Sequence, residues 1–140
     1  MTSFYKAWSG PPIAFGNIIF RGDLHQLVLP ISERKPSRWF NIDAGFERDP
    51  AKQLASNLRA FPSRLTGLRA KGMNIWNLSA IKNFRLTERF RLQFRSEWLN
   101  AMNHTHLAAP NTTPTSPLFG TVTSAPGYPR QIYFALKLTF

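Results

Sequence analysis

Two histidines that lie two residues apart come closest in this chain to a metal site. His104 and His106 would point to the same side of an extended segment, where both imidazoles could bind one metal ion with a third ligand. The remaining histidine, His25, is distant in the sequence, and acidic residues near the pair are few. Cysteine is absent, so neither thiolate ligands nor disulfides can form. We therefore expect loop histidines, with no metal and no cofactor.

The sequence carries no motif of a known catalytic site. It has no G-x-S-x-G turn, no H-E-x-x-H helix and no phosphate-binding glycine loop. We expect no catalytic residue and no enzyme activity.

Polar residues at alternate positions form the other candidate site. Arg91, Gln93, Arg95 and Glu97 would share one face of a strand, because successive strand residues point to opposite faces. These side chains could line the path of a solute. The interpretation that we favour is a lumen-facing barrel wall that packs against a plug through salt bridges. The even positions from 90 to 102, which would lie on the opposite face, are mostly apolar and include Phe90, Leu92, Phe94, Trp98 and Met102.

The last strand shows the same alternation most clearly. In residues 130–140 apolar side chains occupy every second position and polar ones fill most of the gaps. Membrane β-barrels alternate in this way, with the apolar face toward lipid. Eleven residues at about 3.3 Å each, tilted by about 45°, rise about 25 Å, which is the height of the apolar band. The apolar positions are Ile132, Phe134, Leu136, Leu138 and Phe140.

Residues 74–86 and 90–102 predict a hairpin of two further strands. Facing residues of an antiparallel pair share a face, so a turn of three or five residues must set even positions against even ones. Lys82 is the exception on the apolar face, and its place near the strand end would let its ammonium group reach the interface. The expected pairs are Leu86 with Phe90, Phe84 with Leu92, and Leu78 with Trp98, while Arg85 faces Arg91.

The lengths of the connections set the predicted topology. The hairpin turn is short, whereas residues 104–129 form a long loop rich in Pro, Thr, Ser and Asn. In membrane barrels the short turns are periplasmic and the long loops extracellular, which leaves Phe140 at the periplasmic rim. The expected aromatic girdles are Trp76 and Trp98 on the outer side and Phe84, Phe90 and Phe140 on the inner side.

The N-terminal half has a looser pattern. Residues 1–9 predict a strand stub, and residues 10–73 a large extracellular loop with short strand candidates at 13–20 and 24–29. A helix at about 50–59 would begin after an Asp-Pro pair, which suits a helix N-terminus. The helix and its aromatic neighbours Trp39, Phe40 and Phe46 suggest a loop packed on itself, whereas the rest of the loop is expected to be poorly tied down. The predicted fold class is all-β, an antiparallel meander of the last three to four strands of a transmembrane barrel.

Composition limits the alternatives. At 140 residues the chain holds one domain at most. A net charge of +11 raises a second hypothesis, a small basic soluble β protein that binds nucleic acid or another polyanion. The basic residues are spread along the chain without a Lys/Arg-rich run, so we expect no nucleic-acid partner. The N-terminus lacks the apolar segment of a signal peptide.

Several segments carry a family resemblance. Residues 76–84, W-N-L-S-A-I-K-N-F, are similar to the "W-[DN]-L-S-x-x-K-N-F" strand of TonB-dependent outer-membrane receptors of the Oar-like type, which contain a carboxypeptidase-regulatory-like domain. Residues 91–104 resemble the following strand, "x-x-Q-F-R-x-E-x-x-N-x-x-N-H". Shorter matches lie at 38–41, 111–113, 119–120 and 129–131.

The resemblance implies a solute receptor in the bacterial outer membrane, with a barrel of about 22 strands of which this chain would hold the last three or four. The strand that ends in Phe140 would be the C-terminal assembly signal. Implied partners are outer-membrane lipid, the remainder of the barrel and plug, the barrel-assembly machinery, and a periplasmic energy-transducing protein that acts through the plug. Because signal peptide, TonB box and plug are not recognised, we expect a fragment of a longer exported protein that is not functional alone.

Overall fold

Strands dominate the computed structural model, which describes residues 1–53 and 59–140. Two compact units emerge from its contacts. The sheet unit comprises Met1–Trp8, Gly72–His106 and Gly127–Phe140, and the loop unit comprises Ser9–Lys71 and Leu107–Pro126. The strands are β1 (Thr2–Trp8), β2 (Pro12–Ala14), β3 (Arg64–Arg69), β4 (Met73–Arg85), β5 (Arg91–Leu99) and β6 (Gln131–Thr139).

The sheet unit is a four-stranded antiparallel sheet in the order β1-β4-β5-β6. β4, β5 and β6 follow one another as a meander, and β1 pairs with the edge of β4 that faces away from β5. The strands form where apolar and polar residues alternate, the pattern typical of a pleated sheet with two different faces. The predicted all-β, antiparallel class is confirmed.

The register between β4 and β5 is the one that the shared-face argument predicts. Leu78 pairs with Trp98 and Phe84 with Leu92, so even positions meet even positions throughout. At the turn, the Leu86 amide donates to the Phe90 carbonyl at 3.0 Å. The Thr87 hydroxyl accepts the Phe90 amide at 3.1 Å, which closes the turn. The predicted like-charge pair also forms, since Arg85 faces Arg91.

The loop unit departs from the prediction of a poorly tied loop. It has a hydrophobic core of its own, in which phenylalanine rings pack mainly edge to face. Ring centroids lie 5.5 Å apart for Phe15 and Phe40, and 4.8 Å apart for Phe46 and Phe119. Trp39, Phe40 and Phe46, whose presence suggested a packed loop, lie in this core, but the aromatics follow no period of two or 3.6 from which the whole core could be predicted. The buried residues are Ile13, Phe15, Ile18, Leu27, Trp39, Phe40, Ala44, Phe46, Phe61, Leu68, Ala70 and Phe119.

The short elements of the loop unit also differ from expectation. Only Pro12–Ala14 of the first candidate region forms a strand, and it pairs with β3, which the sequence analysis did not predict. The second candidate, 24–29, was wrong: Leu24–Gln26 is a 3-10 turn. The Asp23 carboxylate accepts the amide of His25 at 2.9 Å, so turn chemistry outweighs the apolar character of the segment.

Where the predicted helix at about 50–59 should begin, the structure has a single 3-10 turn. Asp49 accepts the Ala51 amide at 2.9 Å, and Pro50–Lys52 forms one 3-10 turn. Gln53 then turns extended, with ψ at 136°, which ends the turn. Residues 54–58, which carry the rest of the prediction, lie outside the described residues. No helix in the described ranges is long and apolar enough to cross a membrane.

Replacing Gly120 by alanine should destabilise the loop unit. Its φ of +78° lies in the left-handed region, and an added Cβ would stand 2.4 Å from Cγ2 of Ile42. We expect a loss of about 1–3 kcal/mol from the backbone conformation alone, plus the cost of the clash. Limited proteolysis with mass mapping of cuts at 9–71 measures the effect.

The matched control is Gly16→Ala, because nothing lies within 4 Å of a Cβ added there. If both variants resist protease equally, Gly120 does not hold the loop unit together.

Candidate functional site

The sheet unit presents a broad surface of apolar side chains, here called the apolar face. It gathers the even positions of β4, β5 and β6, which the paired registers align in rows across the sheet. Phe94 on β5 and Phe134 on β6 belong to neighbouring rows and stack diagonally, with ring centroids 5.9 Å apart. The face is uncovered in the described chain: Phe134 is 66%, Leu136 70% and Phe140 90% exposed. Single exposed hydrophobic residues are common on protein surfaces, whereas a contiguous apolar patch such as this one marks a contact surface.

Both tryptophan indoles of the apolar face find hydrogen-bond partners on the face itself. The Trp98 indole donates to the hydroxyl of Ser96 at 2.6 Å, and the Trp76 indole donates to the hydroxyl of Ser3 at 2.6 Å. Ser96 is only 6% exposed. Because an unpaired donor is costly away from water, these local bonds suit a surface that contacts an apolar medium.

Aromatic side chains mark the two ends of the apolar face. Phe90 and Phe140 lie 6.4 Å apart at the end that carries the β4–β5 turn, which we call the hairpin end. Trp76 and Trp98 lie toward the opposite end, where β4 and β5 join the long connections. Aromatic bands at both interfaces are typical of membrane barrels. Which end faces the periplasm stays a prediction.

The opposite face of the sheet is polar, and the structure brings all of the predicted lumen-facing residues onto it. Gln93 donates to Asn83 on β4 at 2.9 Å, and Arg95 forms an ion pair with Glu97. Side chains of this ion pair remain 51% and 35% exposed, so water screens it and its contribution is small. Arg91 faces Arg85 on one side. That this polar face lines a lumen stays a prediction.

An open hollow lies on the polar face beside Phe4. It has a volume of about 240 Å³ and is bordered by Asn77, Ser79 and Glu97. These groups could hydrogen-bond a polar solute, but the hollow opens widely to the surroundings. It therefore offers a surface along which a solute could pass, not an enclosed site.

A buried asparagine, which the sequence analysis missed, ties the end of β5 to the long loop. Asn100 is 6% exposed and has a φ of +50°. Its side-chain amide donates to the carbonyls of His104 at 3.1 Å and Tyr128 at 3.0 Å, and its oxygen accepts the His104 amide at 3.0 Å. The backbone amide of Asn100 donates to Asn77 at 2.9 Å. The spacing Asn-x-x-Asn-His within residues 91–104 was the available clue.

The two histidines of the candidate metal pair take separate structural roles. His104 bonds to Asn100 through its backbone. His106 is 7% exposed, and its Nε2 lies 3.4 Å from the Asn74 carbonyl. Gly127 leaves room for the His106 ring, since a Cβ there would approach within 2.8 Å. Within residues 1–53 and 59–140, no cluster of three or more His, Cys, Asp or Glu side chains could hold a metal ion.

Replacing Asn100 by alanine should loosen the attachment of residues 104–129. The change removes two donor bonds and one acceptor bond that the buried Asn100 side chain makes to the backbone of His104 and Tyr128. A typical hydrogen bond within a protein contributes about 0.5–1.5 kcal/mol to stability, so three lost bonds cost about 1.5–4.5 kcal/mol. Hydrogen exchange at the His104 amide should accelerate at least tenfold, a change equivalent to about 1.4 kcal/mol.

Asn83→Ala is the matched control, because the Asn83 side chain accepts one exposed bond from Gln93. Unchanged exchange at His104 in the Asn100 variant would show that Asn100 is not the tie.

Comparison with known proteins identifies the family. A family model described as an outer membrane beta barrel domain matches residues 18–133. No curated protein and no solved structure matches significantly. The match covers most of the chain and agrees with the antiparallel sheet and its exposed apolar face. The chain therefore belongs to the outer membrane β-barrel domain family, as a barrel-type protein of the bacterial outer membrane.

Proposed function

We propose that this chain is the C-terminal barrel segment of a TonB-dependent outer-membrane receptor that takes up a solute. The exposed apolar face of β4, β5 and β6 is the observation that carries a lipid-facing role. The similarity of residues 76–84 and 91–104 to the Oar-like type supports the receptor assignment. The segment contributes barrel wall, an outer loop and the assembly signal.

The backbone supports a segment that acts only within a larger barrel. In the described sheet, β1 and β6 each have one strand neighbour and therefore one free edge. Backbone groups within a bilayer must find partners in protein, so free edges are not stable in lipid. The smallest membrane barrels have about eight strands, more than this sheet supplies. The remainder of the barrel must provide strands for both edges, and the segment does not transport alone.

The proposed assembly signal is an apolar series on β6 and the residue that follows it: Ile132, Phe134, Leu136, Leu138 and Phe140. All five side chains are exposed, from 41% at Ile132 to 90% at Phe140. The outer edge of β6 is also free of a strand partner in the described sheet. A free edge beside an exposed apolar series offers both strand pairing and side-chain recognition. These features suit recognition by the barrel-assembly machinery.

The loop unit supports a folded extracellular element in place of mobile loops. Its two segments connect β1 to β4 and β5 to β6, and both connections leave the strands opposite the β4–β5 turn. Long loops are extracellular in membrane barrels. A core of phenylalanine rings gives this unit a fixed surface. In the longer receptor, such a surface could take part in solute recognition, while the plug would couple uptake to the periplasmic energy-transducing protein.

The second candidate function is binding of a polyanion by a soluble basic protein. The net charge of +11 favours it. The apolar face argues against it, because side chains such as Phe134 and Leu136 would contact water. A soluble, monomeric chain that binds heparin with an affinity falling steeply with salt would support this alternative.

Replacing Phe134 by glutamine should weaken partition of the full chain into detergent micelles or phosphatidylcholine vesicles. Phe134 is 66% exposed on the apolar face. Burying a phenylalanine side chain is worth about 1.5–3 kcal/mol, so partition should fall at least about tenfold. Flotation with vesicles at several lipid concentrations measures the change.

The control is Tyr133→Gln, one residue away and 51% exposed on the polar face. It should change partition much less than the Phe134 variant. Equal effects of the two variants, or a wild-type chain that stays monomeric in plain buffer, would overturn the lipid-facing role.

A further inference from the structure

The basic residues of the sheet unit are concentrated at the hairpin end. Four rows of the β4–β5–β6 register and the turn hold five of them, whereas Glu88 is the acidic residue of that region. Closely spaced cations at one end of a sheet create a local positive potential that extends over about 8 Å at physiological salt. The five residues are Lys82, Arg85, Arg89, Arg91 and Lys137.

Lys82 is the member of this group that stands on the apolar face. It pairs across the strands with Phe94, and Phe94 pairs in turn with Leu136. Its neighbour along that face toward the turn is Phe84. A lysine among such side chains is costly in lipid unless its ammonium group reaches a polar partner.

The position of Lys82 gives it that reach. It lies three residues before the end of β4, and its long side chain can extend toward the interface while the methylene groups stay among apolar neighbours. Salt bridges found in the described residues join Arg38 to Asp43, Lys52 to Asp49 and Arg95 to Glu97, so none of them involves Lys82. Lys82 is exposed, so its ammonium group is open to a partner from outside the chain.

Aromatic rings mark the level of that interface. Phe90 and Phe140 lie 6.4 Å apart at the hairpin end, and both are exposed. Arg89 precedes Phe90 in the turn, so a second cation belongs to the same end of the sheet as the aromatic pair. Rings with adjoining cations suit the boundary where acyl chains meet phosphate groups.

We propose that the hairpin end binds anionic phospholipid headgroups through Lys82 and Arg89, with Phe84, Phe90 and Phe140 in contact with the acyl chains. This inference rests on the proposed lipid-facing role and adds a lipid preference to it. Arg85, Arg91 and Lys137 lie on the polar face at the same end and strengthen the attraction through space. The occupant is a phospholipid whose net charge is negative, such as phosphatidylglycerol.

The test compares binding of the full chain to vesicles of phosphatidylcholine alone and of phosphatidylcholine mixed with phosphatidylglycerol. The variant K82Q/R89Q removes the two proposed contacts. Each basic residue near an anionic surface is worth about a five-fold change in binding, so the variant should lose about 25-fold of the gain from phosphatidylglycerol. The gain should also shrink as salt is added.

The matched control, K6Q/R130Q, removes two charges outside the hairpin end of the same unit. It should keep the gain, and so should K82R/R89K, which preserves charge. Equal losses in K82Q/R89Q and K6Q/R130Q would show attraction by net charge only and overturn the inference. If the chain binds equally well to vesicles with and without phosphatidylglycerol, the inference is overturned as well, while the lipid-facing role is not. No vesicle binding at all would overturn both.

Discussion

Side-chain alternation, combined with strand pairing, is the constraint on which the sheet depends. Because facing residues share a face, one odd-numbered slip would place the polar series of β5 against the apolar series of β4. The register that aligns the even positions also places Arg85 opposite Arg91. Exposed to water, two like charges cost little, whereas a mixed face would disturb every row. Register here is decided by the apolar side chains, and charge pairing is secondary.

The two units differ in how far their apolar side chains are exposed. The loop unit hides its aromatic rings from water, with Phe40 completely buried and Phe119 only 2% exposed. The sheet unit leaves Phe134 and Leu136 uncovered although both belong to a regular strand. Exposing an apolar sheet face to water is unfavourable, and the core of the loop unit shows that this chain can bury apolar side chains. Different surroundings for the two surfaces explain the contrast.

Regularity decided which parts of this structure could be predicted from sequence. Strands β4, β5 and β6, and the register between β4 and β5, follow from a period of two that runs through many residues. The loop core does not, because Phe15, Phe46 and Phe119 meet across long sequence separations without a period. Asn100 was missed for a related reason: its role needs a left-handed backbone and partners at both ends of a loop. Such contacts are visible only in three dimensions.

The second half of β4 has a strand partner on one side only in the described sheet. β4 runs over Met73–Arg85, yet in the described sheet its pairing with β1 reaches only Ser79. Its remaining residues are paired with β5 on one side and face an open edge on the other. In water that edge would invite aggregation, and in lipid its amides would lack partners. Closure into a barrel, the fold of the family, leaves no open edge and removes both costs.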